Sequence, residues 1–209
     1  MNMKINQSTF AVSLAIVLTV GFTACDKDNT ITPDPIKSDT AKDIAADPTT
    51  TTSTGQPATT GKFAFFSFKN GAVASSDSAS TKWDIAFRAT TIIVNGGTSG
   101  PGQGAAQVLT GIFDETKEAP ASGYTQDAAT GYAVATGSGK GWYNYNGATN
   151  IISPIAGKVL VIKTADGKYA KMEILSYYKG APATPDANSV GRYYTFRYVY
   201  QPDGTVKFQ

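Results

Sequence analysis

Apolar and polar residues alternate with a period of two along much of this chain, the pattern of strands with one face against a core. Trp83, Ile85 and Phe87 alternate with Asp84, Ala86 and Arg88. Thr90–Val94 is rich in β-branched residues and ends at Asn95, Gly96 and Gly97, which suit a turn. Lys158–Thr164 and Lys168–Leu175 flank Ala165, Asp166 and Gly167. An Asp-Gly pair between two such runs predicts a hairpin, because its turn residues must tolerate a positive φ. Arg192–Gln201 puts Tyr194, Phe196, Tyr198 and Tyr200 on one face, and Pro202, Asp203 and Gly204 then turn the chain into Thr205–Phe208. No window keeps a 3.6-residue apolar period, and no repeat is found. The pattern predicts an all-β domain of antiparallel sheets over residues 62–209.

The N-terminal end follows other rules. Lys4 precedes an apolar run from Phe10 to Val20, interrupted by Ser13 and Thr19, and Phe22, Thr23 and Ala24 lead to Cys25. The run has the length of a secretory h-region and is too short to span a bilayer. Residues 1–24 are therefore expected to be a lipoprotein signal peptide. Cleavage before Cys25, the only cysteine, would let that residue carry the lipid and tether the protein to a membrane. Asp26, Lys27 and Asp28 resemble the acidic patch that sends some lipoproteins to the outer surface of Gram-negative cells. From residue 25 to 61 the chain is rich in threonine and proline, with Ile31, Ile36 and Ile44 as its only large apolar residues. That composition predicts a flexible tether.

Composition then narrows the chemistry. The chain has no histidine, which removes the usual general base and the commonest metal ligand. With Cys25 lipidated, no thiol remains for disulfides, catalysis or metal binding. A formal charge of +2 over 209 residues gives no electrostatic footprint for nucleic acid. Gly97–Gly104 is glycine-rich but lacks the Gly-Lys-Ser/Thr ending of a phosphate-binding loop and precedes no helical pattern. Asp114, Glu115 and Glu118 are read as solvated loop charges rather than a glycosidase pair. No catalytic or metal-binding residues are assigned, and the chain is read as a binding protein, not an enzyme. Tyr124, Tyr132, Trp142, Tyr143 and Tyr145 lie among glycines and asparagines, where flat faces and phenolic oxygens could meet a planar ligand.

Four strings in order carry a resemblance: Trp83–Phe87, Asn95–Gly100, Ala165–Lys171 and Tyr193–Tyr198. Over roughly Phe63 to Gln209 the chain resembles the HmuY family of haem-binding lipoproteins, and the leader agrees with it. The resemblance implies a cupped-hand all-β fold that takes haem and passes it to an outer-membrane receptor. It also implies two axial histidines, or methionines in some relatives, and here the chain departs from the family. Asn146 precedes Gly147 where one family ligand hangs, and an amide is a poor iron ligand. The loop between Tyr132 and Gly141 that would carry the other is shortened. Met172 is the only methionine beyond the leader, and it shares a strand face with Ala170 and Ile174, which marks it as core. Tyrosine is a legitimate haem ligand, so Tyr143 and Tyr145 become the coordinating candidates, with Asn146 at one family ligand position and Met172 as the one methionine left after the leader. The alternative is the same fold repurposed for a glycan, another small molecule or a receptor partner. Surface display has a direct test: protease added to intact cells should cut the protein, and protection from protease would refute it.

Overall fold

The computed structural model describes Met1 and residues 34–209; the leader and Cys25 lie outside the described residues. Among the described residues, thirteen strands and two single-turn 3₁₀ helices follow one another. They are β1 (Lys37–Ala45), β2 (Thr50–Thr51), β3 (Pro57–Ala58), β4 (Ala64–Ser67), β5 (Gly71–Val73), β6 (Ile85–Arg88) and β7 (Thr91–Val94). Then come β8 (Ala105–Thr110), β9 (Tyr143–Asn146), β10 (Ile151–Pro154), β11 (Lys158–Lys163), β12 (Tyr169–Tyr178) and β13 (Gly191–Gln201). A five-stranded antiparallel sheet runs β1-β13-β12-β11-β8, and a four-stranded one runs β5-β4-β6-β7. The pairs β9–β10 and β2–β3 stand as separate hairpins. The protein is all-β, as the pattern predicts.

The hairpin around Asp166-Gly167 forms in the expected place. Lys163 pairs with Tyr169, the Thr164 amide donates to the Lys168 carbonyl at 2.8 Å, and Gly167 takes φ 81°. Tyr194, Phe196, Tyr198 and Tyr200 are all buried on one face of β13. They meet the second sheet through aromatic contacts: Phe66 lies 5.1 Å from Phe196 edge-on, and Phe68 5.4 Å from Tyr198 and Phe87 4.6 Å from Tyr194 in tilted pairs, between ring centroids. Each such pair adds roughly 0.5–1.5 kcal/mol beyond the apolar area it buries. The run after Gly204 does not fold back as a strand; it makes a single bridge, Glu118 to Lys207.

The tether expectation needs correction from residue 37 onward. Lys37–Ala45 is an edge strand paired with β13, and Ala46 behind it is fully buried. Backbone pairing with an existing strand supplies the stabilisation that three isoleucines could not, and Ala41 and Ile44 need only cover one side of the core. Asp47 then fastens the threonine-rich stretch, accepting hydrogen bonds from the Thr60 amide and hydroxyl and from the Gly61 amide at 2.7–2.9 Å.

The glycine-rich loop has a packing role. A Cβ on Gly97 would strike the Asp127 carbonyl, and one on Gly100 would strike the Asn95 side-chain oxygen. The loop wraps Asn95, which is fully buried and donates to the Ser80 and Trp83 carbonyls.

Asp84 joins the two sheets. Its carboxylate accepts the Phe68 amide at 2.9 Å and the Ala165 amide, from the β11–β12 turn, at 3.1 Å. Burial pushes its pKa from 3.8 up to about 6, against those hydrogen bonds. Between those two values the native state binds more protons than the unfolded chain, so this group's contribution to stability falls as pH rises through that window. Native protein minus D84N, compared by urea unfolding at pH 4 and pH 7, should show a pH-dependent difference on the order of 2–3 kcal/mol that favours the native protein at the acidic end. A difference independent of pH would refute the assignment.

Candidate functional site

The β9–β10 hairpin and the long connection from Lys179 to Val190 form the site region. The base of the hairpin is held rigidly. Trp142 is buried and its indole N–H donates to the Thr90 carbonyl at 3.0 Å, while the Ile155 amide donates to the Trp142 carbonyl at 2.8 Å. The hairpin edge is fixed to β12 by the Ile152 amide, which donates to the Tyr178 hydroxyl at 2.9 Å. The connection is stitched to itself and to β1. Asp186 accepts from the Asn188 amide and the Ser189 hydroxyl at 3.0 Å each, and the Gly180 amide donates to Asp43 at 2.8 Å.

Between hairpin and connection opens a cleft of about 730 Å³, bounded on one side by Asn146, Asn150, Ile151 and Ser153 and on the other by Thr184 and Asp186. Its volume is that of a small-molecule site. The polar groups facing it are amides, hydroxyls and one carboxylate.

The four candidate residues fall in different places. Strand alternation puts Asn144 and Asn146 on one face of the hairpin and Tyr143 and Tyr145 on the other. Tyr143 is 8% exposed and packs on Trp142 at 4.9 Å between centroids, in the aromatic core. Tyr145 is 47% exposed, and its hydroxyl is hydrogen-bonded to the Asn150 side chain at 2.5 Å. Neither tyrosine lines the cleft. Asn146 does, but its side-chain oxygen accepts the Ala148 amide at 2.9 Å and so holds the turn. Met172 is fully buried between its strand partners Leu160 and Tyr198, far from a ligand role. Of the other loop aromatics, Tyr124 sits beside Tyr169 at 6.1 Å, and Tyr132 is surface-exposed.

Haem iron is held in proteins by imidazole, thiolate, thioether or phenolate. None of these lines the cleft, and none of its lining residues is a lysine or arginine that would meet a propionate. The cleft therefore does not fit haem as a coordinating site. Among the described residues there is also no cluster of three or more His, Cys, Asp or Glu side chains that could hold a metal ion. No described helix is long and apolar enough to cross a membrane.

Residues of the Lys179–Val190 connection, and the tyrosines at the end of β12, were not singled out by sequence patterning. The available signal was length: twelve residues rich in proline and alanine between two strongly patterned strands exceed an ordinary hairpin loop. Behind the hairpin, burial pushes the Tyr177 phenol up to about 12, an effect that the neighbouring Arg192 guanidinium only partly offsets.

The HmuY protein family matches residues 59–198, more than half of the chain, and the chain belongs to that family. It is similar in structure to the apo HmuY analogue of Tannerella forsythia, at 18% identity and a TM-score of 0.47, covering 81% of this chain and 98% of that one. An HmuY-like protein of Bacteroides vulgatus is 21% identical with a TM-score of 0.47, covering 79% and 92% of the two chains. Apo PinO of Porphyromonas gingivitis is 19% identical with a TM-score of 0.44, covering 81% and 99%. No curated protein matches.

Met172 offers a clean separation of core from ligand. M172A should cost on the order of 2–5 kcal/mol and M172L under about 1.5 kcal/mol in urea unfolding, as for a packed side chain. An M172L variant that kept its stability but lost ligand binding would reverse that assignment.

Proposed function

We propose that this HmuY-family protein is a lipid-anchored binding protein of the outer membrane, displayed at the cell surface. In this reading it takes haem or another tetrapyrrole in the cleft between the β9–β10 hairpin and the Lys179–Val190 connection, without coordinating the iron, and hands it to an outer-membrane receptor. The observation that carries this reading is the donor set of the cleft: its volume suits a flat macrocycle, and no side chain lining it is a haem ligand. Family membership and the lipoprotein-like leader support the ligand class and the location. One feature favours a second reading. Asn146, Thr149, Asn150, Ser153 and Thr184 give the cleft a run of amide and hydroxyl groups suited to a polyhydroxylated ligand such as a glycan.

Titration of the full-length protein with haemin and with metal-free protoporphyrin tests the proposal. Both should bind saturably near one equivalent with affinities within about threefold, since the metal adds nothing where no ligand meets it. Y145F should leave the Soret spectrum unchanged. Haemin preferred by tenfold or more, with the spectrum altered in Y145F, would replace this reading with tyrosine ligation. Absence of saturable binding by either compound would end the tetrapyrrole reading in favour of the glycan.

A further inference from the structure

At Asn150 the cleft meets a second, smaller cavity of about 240 Å³. Its walls include Thr49, Tyr177, Tyr178, Ser189 and Arg192, and no carboxylate lines it. Neither Tyr143 nor Tyr145 reaches it.

Arg192 is the unusual member. It sits at the start of β13 with φ 66°, a left-handed backbone that an L side chain adopts only at some cost. Its backbone is fixed there by the Ala46 amide, which donates to the Arg192 carbonyl at 2.8 Å. One guanidinium nitrogen donates to the Asp47 carbonyl at 2.9 Å. Beyond that, the guanidinium forms no ion pair with any described residue. The nearby Asp47 carboxylate is already committed to Thr60 and Gly61. A half-buried guanidinium has five donors, and beyond the Asp47 carbonyl and the neighbouring Tyr177 hydroxyl no described acceptor takes the rest.

Tyr178 adds a second unspent donor. It is 5% exposed, and its oxygen accepts the Ile152 amide, but its own proton reaches no acceptor among the described residues. A buried hydroxyl that accepts without donating, together with a guanidinium whose nearest carboxylate, Asp47, lies outside the cavity lining, leaves the cavity rich in donors.

We infer that this cavity is an oxyanion subsite that takes a carboxylate group, held by the Arg192 fork and the Tyr178 hydroxyl. A planar carboxylate matches the guanidinium fork, and a single guanidinium balances a monoanion better than a phosphate dianion. This deepens the cleft reading and rests on it for one point only, that the remainder of the ligand lies beyond Asn150. The larger cleft offers no cation, so the small cavity supplies the positive charge for the whole site.

The test uses ¹⁵N-labelled full-length protein titrated with benzoate, with its neutral isostere benzamide and with inorganic phosphate. Benzoate should shift the amides of Ser189–Tyr193 saturably, with benzamide and phosphate each at least tenfold weaker. R192Q and R192K should each lose tenfold or more in benzoate affinity, the lysine failing because it has charge without the fork. R192G should lose it too, and a thermal melt of each variant shows whether it is folded, glycine being the residue best suited to the left-handed backbone. Equal shifts with benzamide, phosphate bound as well as benzoate, benzoate binding unchanged in folded R192G, or no saturable shift would overturn the subsite. Tetrapyrrole binding that survives in such a case leaves the cleft reading standing. Conversely, benzoate binding without tetrapyrrole binding leaves the subsite and removes the macrocycle.

Discussion

The aromatic inner face of β13 is the constraint on which the rest of the domain depends. Tyr194, Phe196, Tyr198 and Tyr200 sit at alternate positions, so a slip of one residue would turn all four rings to the opposite face. They are also the surface against which Phe66, Phe68 and Phe87 of the second sheet pack. The same strand pairs with β12 on one side and β1 on the other, so its register sets both neighbours. Two polar ties reinforce the contact between the sheets. Tyr194 donates to the Ala89 carbonyl at 2.8 Å, and Asp84 reaches from the second sheet to the β11–β12 turn.

The site inherits its position from this core without sharing its residues. Trp142, Tyr143, Tyr177 and Tyr194 form a continuous aromatic cluster behind the hairpin. That cluster holds the hairpin base, and the tip with Asn146 and Asn150 projects beyond it to form one wall of the cleft. The other wall is the Lys179–Val190 connection, tied down through Asp43 of β1. Core and cleft are thus separated by residue: substitutions in the cleft can change its lining while the packed rings stay as they are. A fold kept under such conditions does not by itself fix the ligand.

Much of the architecture was legible because period-two alternation and turn chemistry are local. The hairpin at Asp166-Gly167, the aromatic face of β13 and the burial of Trp83 and Met172 all follow from neighbours in sequence. The N-terminal strand was not legible. Lys37–Ala45 carries alternating charges and few large apolar residues, and it is ordered by the free edge of a strand more than 150 positions away, as in the Lys37–Tyr200 pair. The purpose of the glycine-rich loop, close approach to Asn95 and Asp127, needed the fold.

The candidate site divides the same way. The sequence by itself determined that no histidine could serve as a ligand, because the chain contains none. It also placed Tyr143, Tyr145 and Asn146 on one short segment. Only the tertiary structure decided that the tyrosines and the asparagine face opposite ways and that Met172 is sealed in the core. It alone brought Thr49, Tyr178 and Arg192 around one cavity. Those three come from the start, the end and the far side of a loop, and nothing in their local sequence marks them as neighbours. Only the pairing of β1, β12 and β13 in one sheet puts them together.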